Sequence, residues 1–172
     1  QAAVERLFLA GHRKIGMIAG PEHVFTARER YLGYEEAFKK AGIEVQDSLV
    51  VHGDYTIAGG ARGVKELAKQ NPQMTAVFVS NYEMTVGAMI ESNEIGIRIP
   101  EDLSVIGFDN IEFAKASNPK LSIVTQPTKE IGRNVAELIL DRLDNPTREM
   151  PPKEMKLKTS FVEGKSVHML SV

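Results

Sequence analysis

The chain has 172 residues, 42% apolar and 26% charged, a composition ordinary for globular proteins and a length sufficient to bury one sizeable α/β core. Its 21 basic and 23 acidic side chains leave a net charge of −2, so this stretch taken alone lacks the basic excess with which proteins hold nucleic acid. The absence of cysteine excludes disulfides, thiolate chemistry and cysteine-ligated zinc, and no apolar run approaches the roughly 20 residues a membrane helix needs.

Taken in chain order, residues 1–10 read as the last turns of a helix, with Ala3, Leu7 and Ala10 on one face and Gly11 as its stop. A helix that begins without a cap leads us to expect more chain upstream. Residues 14–19 (KIGMIA) form a short apolar run, expected to be a buried strand. A helix over 26–41 follows, in which Ala27, Tyr31, Tyr34, Phe38 and Ala41 recur at spacings of three and four. Residues 48–52 (SLVVH) predict the second strand. Residues 56–69 predict a helix with Ile57, Ala61, Val64 and Ala68 on one side. The third strand is expected over 75–80 (TAVFVS). The helix over 82–93 is apolar nearly all round and is expected to be covered on more than one side. Beyond Pro100, residues 103–107 (LSVIG) and 121–125 (LSIVT) predict the fourth and fifth strands. The helix over 128–143 is amphipathic through Ile131, Val135, Leu138, Ile139 and Leu143. Pro146, Pro151 and Pro152 mark a linker-like segment, 144–152, ahead of a last strand over 155–162.

Alternating strands and helices predict an α/β fold, a parallel sheet with helices on both faces. In such sheets ligands bind beyond the C-terminal ends of the strands. The residues past those ends are Gly20, Pro21, Thr26 and Arg28, then Gly53, Asp54 and Tyr55, then Asn81 and Tyr82, then Asp109 and Asn110, and finally Gln126. Singly, each reads as a turn or cap residue. Together they offer a guanidinium fork, amide donors and acceptors, a carboxylate and a flat aromatic face, which suits a polyhydroxylated ligand or a carboxylate.

Five segments carry a resemblance: residues 11–15 (GHRKI), 27–30 (ARER) followed by Gly33-Tyr34, 53–55 (GDY), 99–110 (IPEDLSVIGFDN) and Gln126-Pro127. In this order they resemble the LacI/GalR family of transcriptional regulators, specifically its C-terminal effector-binding region without the helix-turn-helix. The resemblance implies a type I periplasmic-binding-protein-like fold with two α/β subdomains and the effector in the cleft between them. It places Arg28, Asn81, Asp109 and Gln126 at effector-contacting positions, with Tyr82 beside them and Tyr55 where an aromatic ring packs on the ligand. Two segments depart from the family pattern. Asn81-Tyr82 stands where sugar binders often carry Asn-Asp. Residues 162–166 (VEGKS) stand where Arg-x-Ser is usual.

The resemblance further implies that residues 1–125 form the C-terminal subdomain. Residues 126–152 would cross to the N-terminal subdomain, and 153–172 would return as a final strand. Most of the N-terminal subdomain and the headpiece would lie outside this chain, leaving the Ile131, Val135, Leu138 and Leu143 face uncovered. The family implies a cytoplasmic, allosteric repressor that senses a sugar-like effector. It would act as a homodimer, with Val86, Ala114 and Ser117 as interface candidates, and contact operator DNA only through the headpiece. No cofactor, metal or membrane is called for. An exported sugar-binding protein of the same fold is the alternative.

An enzyme is disfavoured. The glycines of 58–63 (AGGARG) lack GxGxxG spacing and read as close helix packing, and there is no P-loop, GxSxG or HExxH. His12, His23, His52 and His168 are scattered and are expected in surface or turn roles.

Overall fold

The computed structural model describes residues 1–145 and 151–170. Helix α1 (Ala2–Leu9) leads into strand β1 (Ile15–Ala19), followed by α2 (Phe25–Lys40), β2 (Val50–His52), α3 (Ile57–Gln70), β3 (Ala76–Val79), α4 (Tyr82–Glu94), β4 (Ser104–Phe108), α5 (Ile111–Ala116), β5 (Ser122–Thr125), α6 (Thr128–Asp144) and β6 (Ser160–Val162). Among the described residues the strands form one sheet in the order β2-β1-β3-β4-β5-β6. The first five run parallel, and β6 pairs antiparallel with β5. The α/β expectation holds, with a mixed rather than purely parallel edge.

Strand alternation divides the core into two layers. Ile15, Met17, Ala19, Phe78, Ile106, Phe108 and Val124 face α1 and α2, where Val4, Leu7, Tyr34 and Phe38 cover them. Ile18, Val77, Val79, Val105 and Ile123 face the other way, under Val64 and Leu67 of α3 and Met84 and Ala88 of α4. Tyr34 donates its hydroxyl to the Ile15 carbonyl at 2.7 Å, which lets a tyrosine sit fully buried. Burial pushes that phenol far above its ordinary value. Tyr34→Phe is expected to cost about 1 kcal/mol of stability, the usual worth of one neutral hydrogen bond, measurable by urea denaturation.

The glycines of 58–63 do serve close packing. A methyl on Gly60 would overlap the Met84 carbonyl, one on Gly87 the Ile57 carbonyl, and one on Gly63 would press on Ile18. Helices α3 and α4 therefore touch backbone to backbone.

Several expectations need correction. A short helix, α5, stands where none was expected. Its N-cap Asn110 has φ +59° and accepts from the Phe113 amide at 2.9 Å. The last strand is three residues rather than eight, because its partner β5 ends at Thr125, opposite Ser160. Ser48 belongs to a one-turn helix at Asp47–Leu49 and not to β2. There the Asn71 amide donates to the Ser48 carbonyl at 2.6 Å. His12 sits in the loop after α1 but is buried, which corrects the surface half of its expected surface or turn role. Its Nε2 lies 3.1 Å from the His168 carbonyl and its Nδ1 2.9 Å from the Thr75 hydroxyl. A carbonyl only accepts, so Nε2 carries the hydrogen and Nδ1 accepts, and burial lowers the pKa of this neutral ring. Of the linker-like segment, residues 146–150 lie outside the described residues, as do Ser171 and Val172 of the final stretch.

Helix α6 has no residue buried against the described residues. Val135, Ile139, Leu140 and Leu143 are each about half or more exposed, at 49–68%. Of the face expected to be uncovered, Val135 and Leu143 are exposed and Ile131 is 36% exposed, whereas Leu138 is half-buried and shares a recess with Met155 and Leu157.

Candidate functional site

Strand order reverses between β1 and β3. The chain leaves β1 through α2 toward the β2 edge, and leaves β3 through α4 toward β4 on the opposite face. Such a switch point opens a crevice at the C-terminal ends of the strands, because the two departing loops diverge. The loops after β1, β3, β4 and β5 all arrive there.

The best-defined pair in the crevice is Asp109 with Gln126. Asp109 follows β4 at φ +63°, a left-handed position that turns its carboxylate back toward β5. The carboxylate accepts from the Gln126 side chain at 2.7 Å and from the Gln126 backbone amide at 3.2 Å. Gln126 is the last residue before Pro127 and α6, so this clasp fixes where the chain leaves the sheet.

Arg30 completes the group. It reaches from α2 to the Ser80 carbonyl at 2.8 Å, and its guanidinium lies over the Phe108 ring at 4.0 Å. Arg30, Phe25, Glu29, Phe78, Phe108 and Gln126 help line a recess of about 300 Å³. An arginine held over an aromatic face still has N–H groups to offer a ligand.

The other expected residues divide. Asn81 caps α4, accepting from the Met84 amide at 3.0 Å and donating to Glu83 at 2.6 Å, so both ends of its amide have local partners. Tyr82 packs edge-on against Phe113, 5.5 Å between centroids. Tyr55, at φ +63°, lays its ring against Gly20, where any Cβ would collide with it. Its hydroxyl is buried with no hydrogen-bond partner among the described residues. Arg28 is exposed and lines a different recess, with Tyr31 and His52. The helical period could have separated the two arginines. Arg30 lies three residues after Ala27 and four before Tyr34, on the stripe that faces the sheet, and Arg28 lies off that stripe.

Of the interface candidates, Val86 is half-buried on α4. Ala114 is 3% exposed inside the chain's own core. Ser117 turns its hydroxyl to the Ala114 carbonyl at 2.9 Å and accepts from the Leu121 amide at 3.2 Å. These two are committed to holding α5 on the sheet, which corrects the interface reading for Ala114.

Asp54 is tied to structure. It accepts from the Thr56 hydroxyl at 2.6 Å, the Thr56 amide at 3.0 Å and Arg62 at 2.7 Å, fixing the start of α3. Thr56 first, then Arg62, hold its carboxyl at about 2, and Arg98 holds Asp102 likewise at about 2. A folded-state pKa below the ordinary 3.8 means stability that is present above that value and lost as pH falls toward 2. Thermal melts in this acid range should therefore show a shallower decline for the Asp54→Asn, Asp102→Asn variant than for the parent. Parallel declines would remove these two carboxylates from the account.

The comparisons with known proteins agree with this fold. The periplasmic binding protein-like domain model matches residues 4–167. The transcriptional regulator CelR of Thermobifida fusca is 37% identical over 164 residues, which cover 95% of this chain and 48% of CelR. The transcriptional repressor CytR of Escherichia coli is 38% identical over 141 residues, 82% of this chain and 41% of CytR. A solved complex of CelR with cellobiose superposes with a TM-score of 0.88 at 36% identity, covering 94% of this chain and 49% of that one. The chain thus spans about half the length of the curated relatives it matches. Its sheet order and the family match over residues 4–167 agree, and the chain belongs to the periplasmic binding protein-like domain family, in the form that LacI-family regulators carry.

Proposed function

We propose that this chain is the effector-sensing part of a LacI-type transcriptional regulator, and that the effector is a sugar held at the C-terminal ends of the strands. The observation that carries the reading is the group at the switch point: Arg30 over the Phe108 ring, beside the Asp109–Gln126 clasp. Sugars present rings of hydroxyls that both donate and accept, over an apolar face. A guanidinium, a carboxylate and an amide beside aromatic rings match that chemistry. The relative that was solved with cellobiose supports the choice of a sugar. The matched relatives are transcriptional regulators, and the site reads as one for binding rather than for bond-making.

In this reading residues 1–125 are one subdomain, 126–152 cross to another, and 153–170 return. The apolar face of α6 would pack on that other subdomain, and a DNA-binding headpiece would lie outside this chain. A ligand hydroxyl that takes up Asp109 would loosen its hold on Gln126, and so bias the angle at which α6 departs. Coupling of this kind between effector and DNA is typically about 1–3 kcal/mol. A homodimer would use the α3–α4 side, where Ile57 and Ile90 are exposed near half-buried Val86.

Calorimetric titration tests the sugar reading. Cellobiose, glucose and ribose would each be titrated into the protein, with adenosine as a flat, less hydroxylated comparison. At least one sugar is expected to bind saturably and more tightly than adenosine. Adenosine binding with no heat from any sugar would overturn the reading.

A further inference from the structure

The first turns of α2 stand between two recesses. Arg30 lines the crevice described above, and Arg28, two residues earlier, lines the other. That second recess has a volume of about 420 Å³ and is walled by Gly20, Glu22, Ala27, Arg28, Tyr31 and His52. It lies toward β2, and none of Phe108, Asp109 or Gln126 takes part in its lining.

Its chemistry differs from that of the crevice. The Arg28 guanidinium is exposed and has no ion pair or hydrogen bond among the described residues, so its full fork is available. His52 is oriented by a 3.2 Å contact from Nδ1 to the Gly20 carbonyl. A carbonyl only accepts, so Nδ1 carries the hydrogen and Nε2 is left for another partner. In the structure that partner is Glu22, at 3.5 Å, whose side chain is 78% exposed and held by nothing else among the described residues. Tyr31 supplies a rigid wall. Its ring stands 6.1 Å from His52 and is stacked at 6.4 Å on the buried Tyr34.

We propose that this recess is a second ligand site, separate from the sugar crevice, and that it binds a small molecule bearing a phosphate monoester or carboxylate group. The oxyanion would sit in the Arg28 fork, beside the edge of the His52 ring, in place of the loose Glu22 contact. The rest of the ligand would lie against Tyr31. A neutral ligand would leave the Arg28 charge unanswered, whereas an oxyanion matches the fork geometry of arginine. The proposal goes beyond the sugar reading and stands without it.

The test is a resonance-resolved NMR titration of the protein with inorganic phosphate and with phenyl phosphate. The expected result is saturable shifts at Arg28, Tyr31 and His52, with phenyl phosphate binding more tightly because of its ring. Arg28→Gln, at an exposed position, should keep the fold and weaken binding by about tenfold or more, the worth of a charge-assisted pair. Glu22→Gln should strengthen binding, because it removes the carboxylate that competes for His52. The proposal is overturned if neither probe gives saturable shifts at up to about 10 mM, well above the weakest specific affinities. It is equally overturned if the shifts fall on Phe108 and Gln126, or if Arg28→Gln binds as the parent does.

Discussion

Replacing Arg30 with methionine is expected to lower the affinity for the sugar effector by about tenfold to a hundredfold, the worth of hydrogen bonds from a charged group, roughly 1.5–3 kcal/mol. Methionine preserves the contact of an unbranched side chain with Phe108 but removes the donors, so the loss reports hydrogen bonding rather than a collapsed crevice. The same change at Arg28 should alter sugar affinity by less than about threefold, since that residue lines the other recess and effects at separate sites do not sum into one another. Calorimetry on the two variants decides between them. If Arg28→Met carries the larger loss, the crevice has been placed on the wrong side of α2.

A comparably large effect is expected on stability at the α3–α4 crossing. Gly87→Ala puts a methyl group into the Ile57 carbonyl and close to the Ala61 amide, and backbone atoms cannot swing aside. Overpacking of this kind costs about 1–3 kcal/mol, with the upper end expected where two helices must separate. For a domain of this size about 3 kcal/mol corresponds to a fall in melting temperature of roughly 6–12 °C. Gly132→Ala on α6 is the matched control. Nothing lies within 4 Å of the added methyl. Helix propensity alone should then stabilise by up to about 1 kcal/mol. A Gly87→Ala protein that melts with the parent would mean the helices are not in backbone contact.

The strands were legible because each is a short run of apolar residues and because the sheet is covered on both faces. The runs at 14–19 and 75–80 needed no trimming beyond a residue at each end. The amphipathic pattern of α6 was equally legible, and its exposed face follows from it. What escaped was structure set by single contacts. Helix α5 is only six residues long, and a left-handed asparagine starts it, so periodicity had nothing to accumulate over. The length of β6 is dictated by where β5 stops, which is a property of its partner. Burial of His12 depends on Thr75 and on the His168 carbonyl, 156 residues away.

The site was legible as a set of strand ends but not as an arrangement. Asp109 and Gln126 were both picked out, and the structure joins them. Asn81 and Tyr82 were picked out on the same grounds, yet the structure gives Asn81 a capping role and Tyr82 an aromatic partner. Sequence position told which loop each residue occupies, and only tertiary contacts told which side chains remain available. Arg28 was picked out and lines the other recess, while Arg30 was passed over although it lies on the helical stripe through Ala27 and Tyr34 that faces the sheet.

The central claim is that the crevice at the strand switch point is the effector site and that its occupancy is felt at the crossover into α6. Resonance mapping with the tightest-binding sugar tests it most directly. The account predicts saturable shifts at Arg30, Phe108, Asp109 and Gln126, continuing into Thr128 and the first turn of α6, with the Asp109–Gln126 hydrogen bond weakened. Shifts confined to Tyr31 and His52, or shifts at the crevice that stop short of Gln126, would contradict it.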